Sequence, residues 1–190
     1  ESHLITPDNI RLWFYTNYTT LSSNEHSYLG EPQLEVALGQ VNRYVERQNG
    51  DWSRLQEAEV EVSLLKPDYI IEGKIDLIRG EGDTVELVDF KSEKKPDIFK
   101  DKELLERYKR QLQVYAHLVE EKTGYTVSKL HLYYTGEESG NPQITFPSVK
   151  SDIEATIQGF DKIVQKTYEC GIYKVTDEYV TVFVDLSLGG

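Results

Sequence analysis

Asp76, Asp89 and Lys91 are the residues of this sequence whose types and spacing offer chemistry. They lie in EGKIDLIRGEGDTVELVDFK, residues 72–91, which reads as two strands, Ile70–Ile78 and Val85–Lys91, joined by a turn at Gly80, Gly82 and Asp83. Alternation puts Val85, Leu87, Asp89 and Lys91 on one face of the second strand and Glu86, Val88 and Phe90 on the other. In the first strand it gives Glu72, Lys74, Asp76 and Ile78 a common face, so hairpin pairing brings Asp76 toward the acidic end of the second strand. Two such carboxylates can hold Mg²⁺ or Mn²⁺, which lowers the pKa of a bound water and neutralises charge developing on a phosphate. A lysine beside them supplies a point charge to the attacked phosphate or orients the water. Taken alone, an Asp-x-Lys is equally the mark of an ordinary strand-end ion pair.

Two further motifs give the triplet a context. Gly73 and Asp76 form a Gly-x-x-Asp, Asp89 and Lys91 an Asp-x-Lys, and Gln111 and Tyr115 a Gln-x-x-x-Tyr in a following helix. In this order, over residues 59–136, the chain resembles the PD-(D/E)XK nuclease superfamily. More narrowly it resembles the RecB-like branch, found as the nuclease domain of RecB- and UvrD-type helicases and in CRISPR-associated exonucleases. The resemblance implies that Asp76 and Asp89 are metal ligands, joined by the main-chain carbonyl of Phe90, that Lys91 is the catalytic lysine, and that Gln111 and Tyr115 contact substrate beside the site. It also implies DNA as substrate and a helicase domain or subunit as partner. The family's further ligand, a His or Glu on a helix ahead of the sheet, has no good match. His3 and His26 fall in terminal or loop sequence and Glu35 has nothing around it to single it out, so the histidine is expected upstream of Glu1, with metal affinity and activity impaired in its absence.

The elements that must position these residues follow from periodicity. Thr6 and Pro7 open a helix to Leu21 with Ile10, Trp13, Phe14 and Tyr18 on its core side. A second helix, Pro32 to Gln48, buries Leu34, Leu38, Val41 and Val45 and ends at Asn49-Gly50. Leu55–Leu65 alternates as a strand with Val60, Val62 and Leu64 inward and Glu61 read as surface, and Lys66-Pro67-Asp68 turns into the central hairpin. Lys102–Lys122, ended by Gly124, is a helix whose Leu104, Tyr108, Gln111, Tyr115 and Leu118 share one face, with His117 read as surface. Val127–Thr135 is a strand with Leu130, Leu132 and Tyr134 inward, and His131 and Tyr133 opposite; Gln143–Phe146 is a short edge strand. Ser151 to Glu154 fits a capping box for a last helix to Cys170, and 178–188 alternates as a strand.

Composition bounds the function. At 190 residues the chain suits one domain, and the lack of any Met suggests a fragment of a larger protein. The single cysteine, Cys170, excludes a disulfide framework and the cysteine cluster that ends many helicase-associated relatives, and fits a cytoplasmic setting. No apolar run reaches membrane-spanning length. The formal net charge of −12 repels a polyanion at long range. Residues 92–111, leaving directly from the Asp-x-Lys strand, nevertheless carry seven basic residues against five acidic ones, a local positive lip. The expected fold is α/β, a restriction-endonuclease-like mixed central sheet of about five strands flanked by helices on both faces. The expected function is a divalent-metal-dependent DNA nuclease, exonuclease-like and working with a helicase in repair or recombination. The alternatives are an inactive nuclease-fold structural or DNA-binding module and, more distantly, a nuclease acting on RNA.

Overall fold

The structure is a computed structural model that describes residues 5–67, 69–169 and 180–183. Its elements are α1 (Pro7–Glu25), α2 (Glu31–Gln48), β1 (Leu55–Leu65), β2 (Tyr69–Glu81), β3 (Thr84–Lys91), α3 (Lys102–Thr123), β4 (Thr126–Tyr134), β5 (Gln143–Pro147), α4 (Lys150–Glu169) and β6 (Val180–Phe183). His3, Asp68, Cys170 and the rest of the expected tail strand lie outside the described residues.

Local chemistry accounts for most of the boundaries. The Thr6 hydroxyl accepts from the Asn9 amide at 3.2 Å and Pro7 follows it, while the Gln33 side chain accepts from the Gly30 amide at 2.7 Å to start α2. Asn49 and Gly124 close α2 and α3 in the left-handed conformation. The β2–β3 turn is tighter than expected. Only Gly82 and Asp83 lie outside the strands, Gly82 at φ +56°, and Gly80 belongs to β2, where a Cβ would come within 2.2 Å of the Thr84 carbonyl oxygen. Helix α4 opens one residue before the Ser151 capping box, with the Val149 carbonyl accepting from Asp152 and Ile153.

The sheet is mixed, in the order β1-β2-β3-β4-β5. Along this path neighbours are antiparallel except β3 and β4, and α3 is the crossover that this parallel pair requires. One edge of β2 is filled by β1. The other is shared, β3 pairing with Leu77–Glu81 and β6, in parallel, with Tyr69–Glu72.

Helices α3 and α4 cover one face, burying Ile71, Ile75, Ile78, Leu87, Leu112 and Leu132 among others. On the other face Leu77, Val88 and Tyr133 pack with Phe90 and with Tyr44 of α2, whose ring meets those of Phe90 and Tyr133 edge to face at 5.1 Å. Val60, Val62 and Leu64 point inward as expected. Three side chains read from periodicity sit differently. Trp13 is 46% and Val41 38% exposed along a groove between α1 and α2, and His117 is half-buried by α3's packing on the sheet. No helix among the described residues is long and apolar enough to cross a membrane.

A buried charge cluster not foreseen from the sequence ties β1 to β5 on the α2 side. The Glu86 carboxylate contacts Arg79 at 3.1 Å, Lys129 at 3.2 Å and Arg54 at 3.4 Å. His131 Nε2 lies 3.2 Å from the same carboxylate, and its Nδ1 is 2.9 Å from Gln143 Nε2. Burial opposes the Glu86 charge, but Lys129, His131, Arg79 and Arg54 outweigh it and hold its pKa at about 2. Burial, with the Arg79 charge, lowers His131 to about 4, so at neutral pH the imidazole is uncharged and donates Nε2–H to Glu86. Both groups have folded pKa values below their ordinary ones, 6.5 for His131 and 4.5 for Glu86. The stability they confer is complete above pH 6.5 and lost on acidification, between 6.5 and 4 for His131 and between 4.5 and 2 for Glu86. Urea titrations across this range should show the midpoint falling in those windows. Glu86→Ala should cost about 3 kcal/mol at pH 7, since it leaves Arg79 without its buried partner.

Candidate active site

Strand β2 parts from β3 at Asp76. The ladder ends at the pair Leu77–Val88, and the next amide of β3 not taken up by it, that of Phe90, donates to Asp76 Oδ2 at 2.6 Å. Among the described residues, Gly73 to Asp76 have no strand partner on this edge, because the described part of β6 pairs only from Tyr69 to Glu72. The gap opens into a cavity of about 710 Å³ between the sheet and α3, and Asp76, Asp89, Phe90, Lys91, Gln111 and Tyr115 all line it. The structure thus brings together all six residues singled out in the sequence.

The alternation expected along the first strand does not run unbroken. Ile71, Ile75 and Ile78 share the core beneath α3 while Leu77 faces α2, so Ile78 does not share a face with Glu72 and Lys74. The phase slips by one residue at Asp76. On the other edge the β1 register runs Ala58–Leu77 and then Val60–Ile75, skipping Glu59, which sits at φ +55° and forms an ion pair with Lys74.

Electrostatics at the site are those of charges held out of water. Asp89 is 6% exposed and its Oδ2 lies 2.8 Å from Lys91 Nζ. Burial raises the Asp89 pKa to about 6; Lys91 opposes the rise, and the negative charges of Asp76 and Glu93 add to it. Asp76 is raised too, chiefly by burial, against the Phe90 amide that favours its ionised form. The Lys91 ammonium also sits 4.2 Å from the centre of the Tyr108 ring, and Tyr108 donates its hydroxyl to Glu93 at 3.2 Å. Gln111 Nε2 donates to the Tyr115 hydroxyl at 2.8 Å.

The buried oxygens of the site have the character a divalent cation needs. Asp89 Oδ2 is sealed from solvent with the Lys91 ammonium as its close partner, and Gln111 Oε1 is buried with no donor. Two carboxylates on one cavity with a spare buried oxygen fit a hard cation. The set is thin, however. Among the described residues no cluster of three His, Cys, Asp or Glu side chains is close enough to hold a metal, and no histidine lines the cavity. Glu35 is engaged elsewhere, with Arg11 at 2.9 Å and Tyr15 at 2.8 Å, and His26 is the left-handed cap of α1.

Some lining residues were not picked out from the sequence. Glu61, read as surface, is exposed yet lines the cavity, along with Glu72, Lys74 and Lys122; Lys122, at the end of α3, carries no local motif that would flag it. Gly73 has a steric role, since a Cβ there would lie 2.7 Å from the Tyr115 ring. Gly73→Ala should therefore displace Tyr115, lose the Gln111–Tyr115 hydrogen bond and cost about 1–3 kcal/mol by overpacking. Thermal denaturation and the near-ultraviolet tyrosine signal of the variant would check this.

No curated protein matches the chain. Among solved structures, a candidate exonuclease from Eubacterium rectale aligns with a TM-score of 0.56 at 12% identity, covering 92% of this chain and 70% of that one. SSO0001 aligns with a TM-score of 0.44 at 17% identity over 84% and 75%. The first of these shares the restriction-endonuclease-like α/β fold. The family model of the PD-(D/E)XK nuclease superfamily, whose members generally use divalent metal ions, matches residues 14–179, and the chain belongs to that superfamily.

Proposed function

We propose that this protein is a divalent-metal-dependent DNA nuclease, hydrolysing phosphodiester bonds in an exonuclease-like manner, with Asp76, Asp89 and Lys91 as its catalytic residues. The observation that carries the reading is two carboxylates, the half-buried Asp76 and the buried Asp89, lining one cavity at a break in the sheet beside the nearly buried Lys91 ammonium. Asp76, Asp89 and the main-chain carbonyl of Phe90 would hold Mg²⁺ or Mn²⁺, which when bound lowers the pKa of a water and offsets charge on a phosphate. Lys91, only 10% exposed, keeps its ammonium between Asp89 and the Tyr108 ring and offers it to a phosphate oxygen that gains charge in the transition state. Gln111 and Tyr115, joined to each other, form the α3 wall against which the substrate backbone rests.

The RecB-like branch, the role in repair or recombination and the helicase partner rest on the sequence motifs alone. A second reading, the inactive module, is favoured by one observation, the lack of a third ligating side chain among the described residues. The two are separated by incubating the purified protein with labelled single- and double-stranded DNA in Mg²⁺, Mn²⁺ or EDTA, with Mn²⁺ binding followed by calorimetry. The nuclease should act slowly and better in Mn²⁺, and stop in EDTA. Asp89→Asn should lose both Mn²⁺ binding and cleavage. Lys91→Ala should keep Mn²⁺ binding and lose roughly 10²–10³-fold in rate. Cleavage indifferent to both substitutions would rule out this site, and neither binding nor cleavage would leave the inert module.

A further inference from the structure

We propose that the turn at residues 97–101 is a stacking platform for an unpaired nucleobase, with Phe99 as the ring on which the base lies; this rests on the nuclease reading. Phe99 is 77% exposed and its neighbour Ile98 50%, and neither joins the apolar clusters on the two faces of the sheet. An isolated exposed apolar residue is unremarkable in itself, but this one is held out by a braced turn. Asp97 Oδ1 accepts from the amides of Phe99 at 2.8 Å and Lys100 at 3.3 Å. Asp101 Oδ2 accepts from the Asp97 amide at 2.9 Å, and the Asp97 carbonyl accepts from Lys100 and Asp101. The ring is displayed on an ordered backbone, so a ligand that covers it does not bear the cost of ordering the loop.

Charge and position point to the ligand. Lys100 beside the ring is 83% exposed in its side chain, 3.8 Å from Asp97, and Lys102 and Arg110 stand exposed along the first three turns of α3 with Glu103 and Glu106 between them. In a chain of net charge −12, the segment that carries the ring, residues 92–111, holds seven basic residues against five acidic ones, and a basic excess beside an unburied aromatic is the combination that holds a single strand by its backbone and its bases. The segment is tied to the candidate site at its start, where Glu93 accepts from Tyr108, the ring beneath Lys91. Lys95 pins its middle to the carbonyls of Asn141 and Gln143 at 2.9 and 3.3 Å. At its end it opens α3, and Gln111 follows Lys102 by about 14 Å of helix rise. A strand with its scissile phosphate at Lys91 would reach the Phe99 ring within a few nucleotides.

The test is binding of labelled oligothymidylate, and of an abasic oligomer of equal length and charge, in EDTA, by fluorescence anisotropy. Phe99→Ala should weaken oligothymidylate binding roughly tenfold and leave abasic binding within about twofold. Phe99→Trp should keep the affinity, and its added indole emission, measured against the wild-type protein, should be quenched by oligothymidylate and not by the abasic strand. Equal losses on both strands, no loss on oligothymidylate, or a wild-type protein that binds neither would overturn the platform. Base-independent binding together with intact metal-dependent cleavage would sink the platform alone. Base-dependent binding through Phe99 without cleavage in any metal would keep the platform and sink the enzyme.

Discussion

One edge of β2 has two partners, and the candidate site opens at Gly73–Asp76, where neither pairs with it among the described residues. Strand β3 occupies it at Leu77–Glu81 and β6 at Tyr69–Glu72. The two run toward one another along the same edge, so β3 must leave before they meet, and it does so to continue its parallel pairing with β4 out to Lys91. The amide of Phe90 is then without a ladder acceptor at the point of departure. An unpaired buried amide costs about as much as a lost hydrogen bond, and the Asp76 carboxylate satisfies it at 2.6 Å. The same contact that mends the ladder fixes one carboxylate at the mouth of the gap.

Two acids on β3, three residues apart, show what the two faces of the sheet are for. Glu86 and Asp89 are both nearly inaccessible, and burial raises the pKa of each. On the α2 side Glu86 is surrounded by Arg54, Arg79, Lys129 and His131, and ends near 2. On the α3 side Asp89 has one cation, Lys91, and two nearby acids, and ends near 6. The first is a saturated structural cluster in which every approach is filled. The second is under-compensated, with the single Lys91 ammonium on a carboxylate that burial disfavours, and positive charge brought into the cavity would stabilise it. Perturbed carboxylates of this second kind gather at functional sites because structure alone gives no reason to leave them so.

The parts legible in the sequence were those set by local periodicity. The hairpin, the α3 stripe and the spacing of Gln111 and Tyr115 come from repeats of two and of three to four residues, while the resemblance to the nuclease superfamily implied that the six chosen residues meet at one site. What periodicity could not reveal depended on partners distant in sequence. Gly80 reads as a turn residue from its type, yet it is a strand residue kept small by the Thr84 carbonyl. Trp13 and Val41 fall on apolar stripes, but α1 and α2 only partly cover one another. Glu86 stands in an otherwise apolar strand, which was a signal, but its basic partners come from three other strands or their borders.

The position of Asp76 is over-determined by irregularity. On one edge the β3 ladder has just ended. On the other, β1 pairs through Ala58 and Val60 and skips the residue between, Glu59, held at φ +55°, a conformation that costs a non-glycine residue about 1–3 kcal/mol. Along β2 itself the alternation slips, so that Ile75 and Ile78 are both in the core beneath α3. In a regular strand between two full ladders, a side chain stands perpendicular to the sheet and cannot turn in-plane to meet a neighbour's amide. Released on both edges, Asp76 can. The strain at Glu59 and the broken ladder are therefore the structural conditions under which a strand carboxylate aims into the gap toward Asp89, and a β2 paired evenly along both edges would make a sounder sheet with no site in it.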